Sequence, residues 1–291
     1  MHVFVTGATG WVGAAVIVQL LEAGHTVTGL ARTPDRARLL ARKGAHIVAG
    51  SLDDLDLLRT CARGSDAVAH TAFNHDWARF AESATQDERA ILALGDGLQG
   101  TDKPLLVTSG LSGLASGRLA TEEDRPPPSS VRRSEAAAQA LSTRGVRTAT
   151  IRLAPSVHGA GEAHGFVPIL IKLARETGVS AYIGEGENRW AGVGRADAAS
   201  LYRAVLERGV SAPVYHAVAD EGVPFRHIAE AIGRGLSLPA EPREPDHFGW
   251  FMRIAGADMA ASSDRTRALT DWSPSNPGLL ADLADPAYYA H

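Results

Sequence analysis

The chain has 291 residues, a formal net charge of −4, 45% hydrophobic residues and 21% charged residues. This is an ordinary globular composition, enough for one large domain or a domain with a smaller companion, and it carries no basic field pointing to nucleic acid. The single cysteine, Cys61, excludes an internal disulfide and fits a reducing compartment.

From the start of the chain, HVFVT (2–6) reads as a buried strand and WVGAAVIVQLLEAG (11–24) as a helix that stops at Gly24. HTVTGLA (25–31) is a second strand, and PDRARLLARKG (34–44) a helix with proline in its first turn and Gly44 as its stop. AHIVAG (45–50) and LDDLDLLRTCARG (52–64) repeat the pattern, and DAVAHTA, KPLLVTSG and RTATIRLAP supply strands at 66–72, 103–110 and 147–155. Between the last two lies a proline-rich loop and an alanine-rich helix, PPPSSVRRSEAAAQALSTRG (126–145). After 155 the pattern loosens into a glycine-rich stretch, a helix at 167–178, and two short strands around a turn in 179–193. A strong helix follows at 195–209 and a strand at 213–219; the remainder reads as helical with prolines between. The opening residues lack the features of a signal peptide, and no window reaches the ~18 apolar residues of a membrane span, so the expected compartment is the cytoplasm.

Strands that are apolar throughout and alternate with helices predict an α/β fold built on a doubly wound parallel sheet. The expected division is a nucleotide-binding domain over 1–155, rejoined at about 195–218, with a smaller mixed substrate domain from 156–194 and 219–291. The strongest motif is TGATGWVG (6–13), placed between the first strand and the first helix. Gly7 permits a tight turn, Gly10 lets a pyrophosphate approach, and Gly13 lets the helix close on the sheet. Thr9, Trp11 and Val12 complete the candidate phosphate loop, where the helix N-terminus offers unpaired amides. The alternative is a glycine turn with no ligand. At the end of the second strand, Ala31 stands where an NAD enzyme carries an acid, and Arg32 and Arg36 follow. A guanidinium there suits a 2′-phosphate, which favours NADP over NAD; otherwise both arginines are solvated helix charges.

With these pieces in order, the sequence resembles the short-chain dehydrogenase/reductase superfamily, in its extended or atypical branch of epimerase/dehydratase-like proteins. The matching stretches are TGATGWVG, GSLDDLDLL, AVAHTA, LLVTSG, RLAPSVHG and VGRADAASLY. The resemblance implies a Rossmann sheet with Ser51 and Leu52 beside the adenine and Thr71, Ala72 and Phe73 along the nicotinamide ribose. It further implies Thr108 beneath the cofactor and Pro155, Ser156 and Val157 past the nicotinamide amide. Family chemistry uses a serine after strand five and a Tyr-x-x-x-Lys pair on the next helix. Those positions fall near Gly110, Val131 and Glu135, and a common asparagine falls near Asp87. No tyrosine or lysine occurs anywhere from 104 to 171, so no shift of register restores the pair.

The proton donor is therefore sought elsewhere. The loop TAFNHDW (71–77) offers Asn74 and His75, an imidazole that titrates near neutral pH; Asn74 or Asp76 otherwise caps the following helix. Ser109 and Ser112 follow strand five, as a retained hydrogen-bonding serine or as turn hydroxyls. His158 and His164 edge the crevice after strand six, and each is equally read as a surface or structural histidine; their spacing lacks further ligands, so no metal site is expected. Ser134 falls near the lost pair and Arg132 or Arg133 toward the cleft, neither a good acid. Tyr182, Arg189 and Trp190 are substrate-side candidates or core and surface residues, and DHFGWFM (246–252) is an aromatic cover or a packed helix. The expected function is an atypical NADP-dependent oxidoreductase acting on a small apolar or aromatic carbonyl, imine or enone. The alternatives are an isomerase, epimerase or lyase on the same fold, and a non-catalytic NADP-binding sensor. The resemblance also implies a homodimer, paired through helices at about 76–100 and 129–145, while the sequence itself leaves the oligomeric state open.

Overall fold

The computed structural model describes residues 1–290; for Pro34, Asp35 and Arg36 it describes the backbone only, so the expectation for the Arg36 side chain lies outside the described residues. The first strand, β1 (His2–Thr6), shows how the sheet is built. Val3, Phe4 and Val5 have no exposed surface. Val3 and Val5 enter one apolar cluster and Phe4 another, because successive strand residues point to opposite faces. The strand is covered on both sides, as its unbroken apolar run requires.

The chain continues through α1 (Trp11–Glu22), β2 (Thr26–Ala31), α2 (Pro34–Arg42), β3 (His46–Ala49), α3 (Leu55–Arg63) and β4 (Ala67–His70). A 3-10 turn (Trp77–Arg79) leads into α4 (Phe80–Leu98), followed by β5 (Leu105–Gly110), α5 (Ser134–Thr143), β6 (Thr148–Leu153) and β7 (Ser156–His158). Then come α6 (Phe166–Thr177), β8 (Ser180–Ile183), β9 (Arg189–Gly194), α7 (Arg195–Arg208), β10 (Val214–Ala217) and β11 (Asp220–Pro224). The last part holds α8 (Phe225–Leu236), β12 (Ala240–Arg243), a 3-10 segment (Pro245–Phe251), α9 (Met252–Ala255), α10 (Asp264–Thr270), α11 (Leu279–Asp282) and a final turn (Pro286–Tyr289).

Seven parallel strands form the main sheet in the order β10-β6-β5-β4-β1-β2-β3. Buried residues of α1 and α7, among them Ile17, Leu20, Leu201 and Val205, share the cluster on one face. Leu58 of α3, Ile91 and Leu94 of α4 and Leu141 of α5 fill the other. After β3 the chain crosses to the far side of β1 to lay down β4. The carboxyl ends of β1 and β4 therefore diverge into a crevice, the usual ligand position in such sheets.

A second core gathers Val167, Ile171, Trp190, Phe225, Ile228, Phe251 and Leu279 around two small sheets, β11-β9-β7 and β12-β8. The two strands expected around a turn in 179–193 exist, but they enter different sheets. Between them Gly186 O and Asn188 O accept the amides of Arg226 and Phe225, so the segment wraps the start of α8 and does not fold back as a hairpin. The region beyond 219, read as helical, also contains β11 and β12. Their sequences, DEGVP and AEPR, are polar and proline-bearing, as suits short edge strands. Among the described residues no helix is long and apolar enough to cross a membrane.

Candidate functional site

The glycine loop joins β1 to α1. Gly7 sits at φ +69, and a Cβ there would lie 2.7 Å from Ala72 N. A Cβ on Gly13 would lie 2.2 Å from Gly7 O and 2.5 Å from Thr71 Oγ1. The loop thus closes tightly on the end of β4, and Gly10 N donates to Gly7 O at 2.9 Å to complete the turn. Gly10 caps α1 without any side-chain acceptor, and the first turn of α1 holds no acid. The amides of the first turn and the positive end of the helix dipole remain for an anion. The residues present fit the diphosphate of a dinucleotide.

Other candidates for cofactor contact take varied positions. Ala31 is buried at the end of β2, and Arg32 beyond it is exposed. Ser51 bonds Asp54 through its hydroxyl at 2.9 Å and its amide at 2.6 Å, which orders the loop beside Leu52. Thr71 Oγ1 donates to Thr6 O at 2.7 Å, pinning the start of the loop after β4 to β1. The Trp11 indole donates to Val157 O at 2.6 Å, under the Arg195 guanidinium 4.0 Å from its ring. Phe73 and Pro155 are partly exposed, while Ser156 is buried with no hydrogen-bond partner for its hydroxyl among the described residues.

Beneath the carboxyl ends of β1, β4 and β5 runs a buried polar network. His70 accepts from or donates to Thr6 Oγ1 through Nδ1 at 2.8 Å, and its Nε2 meets Asp87 Oδ1 at 2.9 Å. A carboxylate only accepts, so the network assigns the proton to Nε2. The other oxygen of Asp87 accepts from Ser134 Oγ at 2.6 Å, and Ser134 in turn accepts from Arg132 Nε at 3.0 Å. Arg132 Nη2 donates to Thr108 O at 3.0 Å, and its guanidinium lies 4.3 Å from the centre of the Phe73 ring. Loss of hydration draws the Arg132 pKa down from its ordinary value, with Asp87, Tyr202 and Glu135 opposing; an arginine remains charged regardless. Thr108 Oγ1 donates to His70 O at 2.7 Å and meets the Tyr202 hydroxyl at 2.6 Å. Its hydroxyl faces inward, to His70 and Tyr202.

The position that the resemblance gives to lysine is spoken for. Glu135 grips the buried Arg152 with both oxygens, at 2.9 and 2.8 Å. Val131, at the tyrosine position, is 50% exposed. Of the paired arginines, Arg133 turns outward to Glu88 at 3.0 Å and Arg132 turns inward.

Among the proton-donor candidates, His75 shares the Phe73 ring with Arg132. Its ring meets Phe73 edge-on at 5.1 Å and Trp77 at 5.9 Å. His75 keeps an exposed edge, but partial desolvation and then the charge of Arg132 hold the imidazole below its usual pKa. Asn74 is exposed, and Asp76 is the residue that caps the turn, accepting from Ala78 N at 3.2 Å and Arg79 N at 3.3 Å. Ser109 is 7% exposed, and no partner for its hydroxyl occurs among the described residues. His158 has no exposed surface, and its Nδ1 meets Asp282 Oδ2 at 2.6 Å. It ties β7 to the C-terminal segment, so a donor role at the crevice edge is set aside. Tyr182 and Trp190 are buried in the second core, and Arg189 is engaged by Asp258 at 2.8 Å. The aromatic stretch at 246–252 does reach the crevice side: Trp250 stacks on Trp77 at 5.4 Å, and Phe251 meets Phe166 at 5.4 Å.

Sequence reasoning missed His70 and Tyr202 as network members. A polar residue ending an apolar strand, as His70 does in AVAH, is the available signal for the first. Tyr202 sits in a helix with nothing local to mark its hydroxyl.

Residues 7–160 match the family described as NAD(P)H-binding. Over its whole length the chain is similar to an uncharacterized protein of Schizosaccharomyces pombe, 42% identical over 99% of this chain and 100% of the relative. A second, from Saccharomyces cerevisiae, is 39% identical over 97% and 98%. Among solved structures, the UDP-glucose 4-epimerase of Thermotoga maritima with UDP-glucose has the same fold, with a TM-score of 0.77 at 18% identity, covering 99% of this chain and 98% of that one.

Proposed function

The chain belongs to the family of NAD(P)H-binding proteins, and on that premise we propose that it is an atypical NADP-dependent reductase of a small apolar or aromatic carbonyl, imine or enone. The observation that carries the reading is one juxtaposition. The phosphate cradle at 7–13 closes on the start of the loop after β4, and that same loop presents Phe73 and His75 beside Arg132. A bound dinucleotide supplies the hydride at such a place. The chain supplies orientation, an aromatic wall and a fixed positive charge beside the substrate. His75 is the proposed proton source. Its depressed pKa makes the imidazolium a stronger but scarcer acid at neutral pH. Imines and activated enones place the smallest demand on that donor.

Arg32, exposed at the end of β2 next to the buried Ala31, supports NADP over NAD. The test is a titration with NADPH and NADH for the protein and for Arg32→Ala. The variant is expected to bind NADPH about tenfold more weakly while NADH is unaffected. Equal losses for both cofactors count against the assignment. Consumption of NADPH with apolar aldehydes, cyclic imines and enones then tests turnover. Tight cofactor binding with no turnover across all three classes favours the sensor reading instead.

A further inference from the structure

Two arginines enter the polar interior around the carboxyl ends of β5 and β6, and their surroundings differ. Arg152, 1% exposed, is met by both oxygens of Glu135 and by Asp124 O at 2.7 Å. Arg132 receives only neutral acceptors, Ser134 Oγ and Thr108 O, at 3.0 Å each. Asp87 reaches it only through Ser134 and is shared with His70. Among the described residues no carboxylate comes within ion-pairing distance of Arg132, and its Nη1 has no acceptor. Nη2 has committed one proton to Thr108 O, which leaves both Nη1 protons and one Nη2 proton to donate to an anion.

Arg132 is partly buried, and a cation that has lost part of its hydration and has no counter-charge favours an anion of matched geometry. The surroundings say what else the anion carries. Phe73 lies against the guanidinium face, the His75 ring stands edge-on to Phe73, and Trp77 follows, stacked in turn on Trp250 and Phe80. Trp250 is 57% exposed and Phe73, Trp77 and Phe166 are partly so, leaving an aromatic strip beside the charge. We propose that Arg132 anchors a carboxylate of the substrate, so that the molecule handled here is a small aromatic or apolar acid. This rests on the reductase reading of the same cleft and narrows its substrate class. The resemblance draws attention to lost side chains on α5; the new anchor lies just before that helix and is held by Ser134, its first residue.

The test uses two probes of equal shape and different charge, benzoate and benzamide, in calorimetric titrations of the full NADP-loaded chain. Benzoate is expected to bind about tenfold or more tightly than benzamide. Arg132→Gln is expected to remove that preference, and Arg132→Lys to retain part of it, with thermal unfolding checking that each variant is folded. Absence of binding by either probe, equal binding of both, or a preference that survives in Arg132→Gln overturns the proposal. The wild-type comparison decides even where a variant fails to fold. Repeating the titration without cofactor keeps the two claims apart: failure to bind NADP strikes at the reductase reading, while the benzoate preference still decides the role of Arg132.

Discussion

A Cβ at Gly13 would meet Gly7 O at 2.2 Å and Thr71 Oγ1 at 2.5 Å, whereas Gly24, at φ +80, has nothing within 4 Å. The first glycine is required by close approach of backbone to backbone, the second only by its left-handed conformation. Gly13→Ala is expected to cost about 3 kcal/mol and to abolish NADPH binding. Gly24→Ala should cost about 1 kcal/mol with binding intact. Chemical denaturation and cofactor titration of both variants check the contrast, and similar losses in the two would refute it. The difference also explains what was legible at this scale. The cradle is a local pattern of seven residues and announces itself. The choice of Arg132 over Arg133 for the cleft does not, because its contacts Phe73, Thr108 and Ser134 come from three separate parts of the chain.

Among the elements, the loop between β7 and α6 carries a buried acid. Glu162, 6% exposed, accepts from the Tyr288 hydroxyl in the last turn of the chain. Desolvation pushes its carboxyl up to about 8 from the usual 4.5. Between these values the unfolded chain has released the proton and the folded chain keeps it. The native state then binds more protons, so stability falls as pH rises across that window. The thermal midpoint is expected to drop by roughly 5 °C from the bottom of the window to its top. Glu162→Gln, which cannot ionise, should flatten the slope; a slope that persists in the variant would assign it to other groups. Neither residue stood out in the sequence. The stretch SVHGAGEAHGF reads as a glycine-rich loop, yet it opens with β7, a three-residue strand that exists because β9 pairs with it. Strands so short take their conformation from a partner and not from their own pattern.

At the scale of the whole molecule, the legible part was the part with period. Strands apolar on both faces and helices with one apolar side are enough to place β1 to β6 and the helices packed over them, and the parallel order follows from connection rules. The second core was harder to read, since its small sheets join segments from 156 to 243 and its buried aromatic residues come from five elements. The same long-range assembly brings the loop after β4 against the segment before α9. Trp77 and Trp250, 173 residues apart, lie 5.4 Å apart with their planes at 27°. Among the described tryptophans this is the one pair in ring contact. Two indoles in such an arrangement couple electronically, and coupled transitions give a paired circular-dichroism band that isolated indoles lack. A ligand that enters between the two segments is expected to separate or rotate the rings, and a circular-dichroism titration would then show the band change. The protein thus carries a built-in optical gauge of its own crevice, readable without label, turnover or knowledge of what binds.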